Sequence, residues 1–263
     1  MPDSTRTRII AVANQKGGVG KTTTAINLGA ALAETGQCVL ILDFDPQGNA
    51  STGFGIERHD RTYTTYDLIL EQTPLAEAVV ETGVQNLSIV PATMDLSSAD
   101  IELGINENRA FMLKDALTAA DTEAFTFILI DCPPSLNLLT INAMVAADAV
   151  LIPLQAEFFA LEGLSQLMLT IRKVRQTANP TLRIEGVVLT MYDRRNNLSC
   201  QVEDDARETL GELVYQTRIP RNVRLSEAPS YAMPALQYDT MSSGSIAYRV
   251  LAKEVLARRL QAA

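Results

Sequence analysis

Asn14-Gln15-Lys16-Gly17-Gly18-Val19-Gly20-Lys21-Thr22-Thr23 directly follows the apolar run Ile9-Ile10-Ala11-Val12-Ala13 and leads into a helical pattern from Thr22 to Glu34. Glycines allow the tight turn that aims successive N–H groups at an anion, and the helix start behind them adds a favourable dipole. A strand, a glycine-rich turn and a helix in that order read as a phosphate cradle at the opening of an α/β fold. In the common form of this loop, G-x-x-x-x-G-K-[ST], Lys21 reaches the β- and γ-phosphates and the Thr22 hydroxyl reaches Mg²⁺. Here Gln15 stands where that form has its first glycine, and Lys16 is a second lysine beside three glycines.

The rest of the chain repeats the opening unit. Apolar, β-branched segments at Arg8–Asn14, Cys38–Asp43, Leu87–Pro91, Phe125–Asp131, Ala149–Pro153, Ile184–Met191 and Val214–Ile219 alternate with helical patterns. Those patterns cover Thr22–Glu34, Asp100–Ala119, Leu161–Thr177, Ser199–Leu213 and Ser245–Gln261. The alternation predicts a doubly wound, mostly parallel sheet flanked by helices, and runs such as Phe127-Ile128-Leu129-Ile130 suit strands buried on both faces. No repeat and no Gly-, Pro- or Ser-rich linker divides the chain, so residues 1–263 read as one domain, with 1–7 as a flexible tail and no separate DNA-reading domain.

Composition narrows the function classes. At 47% hydrophobic residues without a low-complexity run, the chain reads as globular, and no apolar run approaches the roughly 18 residues of a membrane span. Cys38, Cys132 and Cys200 are odd in number and widely spaced, which suggests neither a disulfide framework nor a metal cluster and fits a reducing cytoplasm. A net charge of −9 argues against nucleic acid at first sight. Its distribution does not: residues 172–263 hold 14 Lys+Arg against 10 Asp+Glu, while residues 1–171 hold 8 against 21.

Two further motifs fall at predicted strand ends, where ligands of such sheets bind. Asp43-Phe44-Asp45-Pro46-Gln47-Gly48-Asn49 sets two carboxylates two residues apart, able to point the same way; a turn capped by Asp is the plainer reading. An acid there suits the orientation of a water attacking a Mg²⁺-bound triphosphate. Phe127-Ile128-Leu129-Ile130-Asp131-Cys132-Pro133-Pro134-Ser135 is a buried strand ending in a carboxylate, which makes Asp131 a metal candidate together with Thr22. His59, in Glu57-Arg58-His59-Asp60-Arg61, reads as a solvated loop residue.

The K-G-G-x-G-K-T-T form of the loop resembles the deviant P-loop ATPases named after MinD and ParA. Ile219-Pro220-Arg221-Asn222-Val223-Arg224-Leu225-Ser226-Glu227-Ala228-Pro229-Ser230 resembles the Soj-like ParA branch residue for residue. The resemblance implies binding of ATP, ADP and Mg²⁺, with Lys16, Gly17, Gly18, Val19, Gly20, Lys21, Thr22 and Thr23 around the phosphates and Pro220 near the adenine. It implies that Lys16 reaches the nucleotide of a second subunit in an ATP-dependent homodimer. Asp45 is then the residue that positions or activates the nucleophilic water, Lys16 and Lys21 its catalytic companions, and Thr22, Asp45 and Asp131 the metal region, supported by Asp43. Pro153–Leu164 resembles part of the branch's dimer face.

Arg194, Arg195, Arg221 and Arg224 correspond to a surface that meets double-stranded DNA without sequence preference; pairing with Asp204, Asp205 and Glu208 is the alternative. A ParB-like protein is the implied stimulator of slow hydrolysis, and the implied location is cytoplasmic and nucleoid-associated, with no membrane partner. A MinD-like membrane-surface ATPase and a ParA-like cargo-positioning ATPase are the alternatives. A metabolic enzyme or cluster carrier would need paired cysteines or a substrate pocket that the sequence does not display.

Overall fold

Strands that are apolar along their whole length need cover on both faces, and the chain supplies it from two helical layers. In the computed structural model, residues 6–102, 108–157 and 160–262 are described. The strands are β1 (Arg8–Val12), β2 (Val39–Asp43), β3 (Val80–Glu81), β4 (Leu87–Val90), β5 (Phe127–Asp131), β6 (Ala149–Gln155), β7 (Arg183–Tyr192) and β8 (Val214–Pro220). They form one sheet in the order β3-β4-β2-β5-β1-β6-β7-β8, parallel except for the antiparallel edge pair β3 and β4. Side chains alternate between two cores. Phe127 and Leu129 join Ile10, Val12 and Ile41 beneath α1 (Lys21–Glu34) and the helix Ser243–Ala262, whereas Ile128 and Ile130 join Leu40, Leu42 and Val150 on the other face. Each such buried side chain contributes about 1.5–3 kcal/mol.

Register decides what meets at the carboxyl edge. Val12 and Asp43 both lie opposite Asp131. The ends of β1, β2 and β5 are therefore level, and the glycine-rich loop leaving β1 passes beside two aligned carboxylates.

The structure refines several sequence expectations. The helix expected over Asp100–Ala119 is described as Ala99–Glu102 and Met112–Ala119; residues 103–107 lie outside the described residues, and Asn108–Phe111 is a turn closed by the Phe111 N–H on the Asn108 carbonyl at 2.8 Å. The helix expected over Ser199–Leu213 ends at Leu210, because Gly211 adopts a left-handed φ of 55° and a 3-10 turn follows. Of the expected tail over 1–7, residues 1–5 lie outside the described residues, while Arg6 pairs with Asp148 at 3.1 Å and the buried Thr7 hydroxyl donates to the carbonyls of Thr122 and Phe125 at 2.7 and 2.8 Å. Among the described residues, no helix is long and apolar enough to cross a membrane. The helix Ser243–Ala262 buries Tyr248, Leu251, Ala252 and Val255 in the core, leaving Ile246 and Val250 outside.

An ion network centred on the buried Glu203 holds β8 to the helix Asn197–Leu210. Glu203 accepts from Arg207 Nε at 2.8 Å and from Arg218 Nε at 2.8 and 2.7 Å. Burial opposes its charge, yet the bonds from Arg218, Tyr192 and Arg207 outweigh this and hold its pKa down at about 2. A depressed carboxylate pKa gives stability that is present above the usual carboxylate range and fades as pH falls towards about 2. Glu203→Gln is expected to lose about 2 kcal/mol at pH 7 and less at pH 3. Thermal melts at both pH values test this; an equal loss at each would show that the charge contributes nothing.

Candidate functional site

The loop between β1 and α1 is shaped by backbone conformation. Gly18 and Gly20 have φ of 74° and 87°, which L side chains rarely adopt, and Gly20 caps α1 without a side-chain hydrogen bond. The first N–H groups of α1 thus face the loop with no capping oxygen, as an anion site requires. Neighbours fix the loop from both sides. Asn14 donates to the Pro153 carbonyl at 2.7 Å and accepts from the Lys16 N–H at 3.1 Å, while the Thr190 hydroxyl donates to the Val19 carbonyl at 2.9 Å. Lys21 is buried and donates to the Lys16 carbonyl at 3.0 Å. Burial lowers its pKa, and the charges of Asp131 and Asp45 offset part of that.

Below the loop stand the carboxylates. Asp43 is fully buried; its Oδ2 accepts the Ser51 N–H at 2.8 Å and the Ser51 hydroxyl at 2.6 Å. Burial pushes its pKa up to about 6 despite the bonds from Ser51 and the Asp45 N–H. Asp131 is also fully buried, and among the described residues neither of its oxygens has a hydrogen-bond partner. Burial and the Asp43 charge raise its pKa well above the usual range, with the Thr22 hydroxyl and Lys21 relieving only part of the shift. Asp45 is buried at the turn after β2, with Oδ1 accepting the Gln47 N–H at 3.0 Å. A buried carboxylate with both oxygens free beside a hydroxyl is a donor set for a hard divalent cation. Thr22, Asp131 and Asp45 therefore fit Mg²⁺ in chemistry and placement.

The structure brings the loop, Asp43, Asp45 and Asp131 together and sets other expected residues differently. Lys16 points into its own chain and pairs with Glu157 at 2.9 Å, both side chains partly exposed at 39% and 46%. Phe158 and Phe159 of the expected dimer-face segment lie outside the described residues. Arg195 is paired with Asp193 at 2.9 Å, and Arg224 with Glu227 at 2.8 Å and Asp239 at 3.3 Å, so the expected alternative partners Asp204, Asp205 and Glu208 are not the ones used. Arg194 and Arg221 are exposed and form no ion pair among the described residues. They are neighbours: Tyr192 lies opposite Pro220, and the Arg221 N–H donates to the Tyr192 carbonyl at 3.2 Å. Cys132 is buried with its thiol pKa raised by burial and Asp131, which suppresses the reactive thiolate.

Sequence reasoning missed Ser51, Thr190 and Arg61, none of which carries a motif, and it held Glu157 only as part of the expected dimer-face segment, without its pairing to Lys16. Arg61 is the sharpest miss, since it is buried rather than part of a solvated loop. A cavity of about 1010 Å³, lined by Leu68, Leu75, Met112 and Phe125, touches none of the site residues. A smaller one of about 280 Å³ adjoins the loop at Thr22, Thr23, Asn27 and Pro229. The site is assigned from its charges and backbone donors, which cavity size does not reflect.

Compared with known proteins, residues 7–184 match the family described as an AAA domain. The chain is 58% identical over 252 residues to the chromosome partitioning protein ParA of Caulobacter vibrioides, covering 95% of this chain and 94% of that one. It is 52% identical over 250 residues to the sporulation initiation inhibitor protein Soj of Bacillus subtilis, covering 95% and 98%. Among solved structures it is similar to cobyrinic acid a,c-diamide synthase from Mycobacterium smegmatis with bound ADP and magnesium. That match has a TM-score of 0.86 and 37% identity, covering 98% of this chain and 97% of that one.

The uncompensated charge at Asp131 has a measurable cost. Asp131→Asn is expected to raise the melting temperature of the nucleotide-free protein by about 2 °C or more at pH 7.5, because the amide carries no charge to desolvate. A lower melting temperature in calorimetry would show that the carboxylate is compensated within the fold.

Proposed function

The chain belongs to the ParA/Soj family of chromosome-partitioning ATPases, and from that premise we propose that it is a nucleotide switch whose ATP-bound homodimer holds DNA without sequence preference. The observation that carries the ATP half is the pair of free, buried Asp131 oxygens beside Lys21 and an uncapped α1. In this reading the N–H groups of Gly17–Gly20 cradle the phosphates, Lys21 lies on the β- and γ-phosphates, Thr23 joins them, and Pro220 borders the base. Thr22 and Asp131, with Asp45 nearby, hold Mg²⁺, which when bound neutralises charge building up on the phosphate oxygens. Asp45 orients the attacking water and takes up its proton.

Lys16 must leave Glu157 to reach a second subunit. An exposed pair of this kind holds by about 1 kcal/mol or less, so the exchange is cheap. The DNA half rests on Arg194 and Arg221, both exposed just beyond the neighbouring ends of β7 and β8, with Arg195 and Arg224 able to exchange their exposed carboxylate partners for phosphates. Two such patches joined in a dimer bind far more tightly than one, which reconciles DNA binding with the net charge of −9. A ParB-like partner stimulates hydrolysis and so returns the chain to its low-affinity state. The 37% identity to the synthase structure is outweighed by the 58% and 52% identities to partition proteins and by the arginine segment after β8.

Binding to a random-sequence duplex should require ATP and weaken steeply with salt. Arg221→Ala should weaken it evenly across sequences and reduce the logarithmic salt slope by about 1 for each chain in the complex. Binding with ADP equal to that with ATP would refute the switch. Asp45→Ala should retain ATP-dependent DNA binding while hydrolysis falls by about 100-fold or more; undiminished turnover would remove Asp45 from its role.

A further inference from the structure

Arg61 is 7% exposed, yet it forms no ion pair with a carboxylate among the described residues. Its guanidinium is spent on main-chain carbonyls and one hydroxyl around the segment that follows Asp45. Nη1 donates to the Ala92 carbonyl at 2.6 Å; Nη2 donates to the Ile56 carbonyl at 2.8 Å, to Thr52 Oγ1 at 2.9 Å and, at 3.5 Å, to the Gly48 carbonyl. Nε donates to the Ile56 carbonyl at 3.1 Å. A buried arginine is costly, and one that bridges four separate backbone and side-chain points holds them in a fixed relation.

What it holds is the turn that carries Asp45. The Gly48 N–H closes that turn on the Asp45 carbonyl at 2.9 Å, and the Gly48 carbonyl accepts from Thr52 N–H and Oγ1, both at 3.0 Å. Gly48 itself has a φ of 63°, and a Cβ there would fall 2.3 Å from Arg61 Nη1. The guanidinium therefore occupies the space that the glycine leaves. The short helix α2 (Asn49–Gly53), clamped at Thr52, also carries Ser51, the hydrogen-bond donor to Asp43. One side chain thus braces the surroundings of both carboxylates of β2's end while touching none of the residues of the loop 14–23.

We propose that Arg61 is a positioning residue for ATP hydrolysis: it fixes the Asp45–Gly48 turn, and through it the Asp45 carboxylate, at the phosphate-binding loop. The assignment rests on the reading of this site as an ATPase. Because the loop and Lys21 are held from β1, β6 and β7, loosening the clamp changes turnover and spares nucleotide binding. Arg61→Lys keeps the charge and loses the planar fork; Thr52→Val removes one of the clamped points and leaves the arginine in place.

The test is steady-state Mg-ATP hydrolysis by the full chain with duplex DNA, alongside the affinity for a fluorescent ATP analogue. Each protein is assayed well below its own melting midpoint. Arg61→Lys is expected to lower kcat about tenfold or more, because small misplacements of a catalytic group are costly, with analogue affinity within about threefold of wild type. Thr52→Val is expected to lower kcat about threefold with unchanged affinity, and it decides the matter alone if Arg61→Lys does not fold. Turnover within about twofold of wild type in the folded variants, or affinity falling in step with kcat, overturns the assignment. A wild-type chain that hydrolyses no ATP overturns the ATPase reading itself, in an arm separate from the variants.

Discussion

A carboxylate that its own chain does not neutralise governs the carboxyl edge of this sheet. The parallel register sets Asp131 level with Asp43, and both are removed from water. Lys21 is the nearby cation, but it is buried too and shares its attraction with Asp45. Burial raises the pKa of both carboxyls, Asp45 adds to the shift at Asp43, and the Asp43 charge adds to that at Asp131, so this arrangement is held at an electrostatic cost. In the proposed reading a divalent cation carrying a polyphosphate would relieve it, with Asp131 meeting the metal and Lys21 and the uncapped start of α1 meeting the phosphates. Ligand binding and local stability are then two expressions of one charge balance.

Around that centre, contacts divide by burial. Glu203, which accepts from Arg207 and the half-exposed Arg218, and Arg61 with its carbonyls have their central group buried and hold the scaffold in one arrangement. Lys16 with Glu157, Arg195 with Asp193 and Arg224 with Glu227 are exposed pairs that water and salt weaken. The groups that must change partners in the proposed cycle are those held by the weaker kind. A switch built this way needs little strain, since its two states differ in which anion an exposed cation meets.

Much of the fold and part of the site were legible because they rest on local patterns. The runs ending at Asp43 and Asp131 are apolar on both faces, and strand ends are where a parallel sheet places its chemistry, so both carboxylates could be found from spacing alone. The glycine loop was legible for the same reason. Arg61 was not: its neighbours Glu57, Arg58, His59 and Asp60 give it the look of a solvated loop, and only the fold shows that Ala92 and Ile56 close over it. The partners of Lys16, Arg195 and Arg224 were hidden too, since ion pairing depends on rotamers and short-range geometry. β3 was missed because two residues at a sheet edge leave no periodicity to read.

The most direct measurement is binding of Mn²⁺, a spectroscopically visible stand-in for Mg²⁺, followed by electron paramagnetic resonance in the wild-type chain and in Asp131→Asn, with and without a non-hydrolysable ATP analogue. If the buried carboxylate is the metal's protein anchor, the wild type holds about one tight Mn²⁺ per chain only when the analogue is present, and Asp131→Asn binds the analogue but holds the ion weakly. Equally tight Mn²⁺ in both proteins, or tight Mn²⁺ without nucleotide, would contradict it.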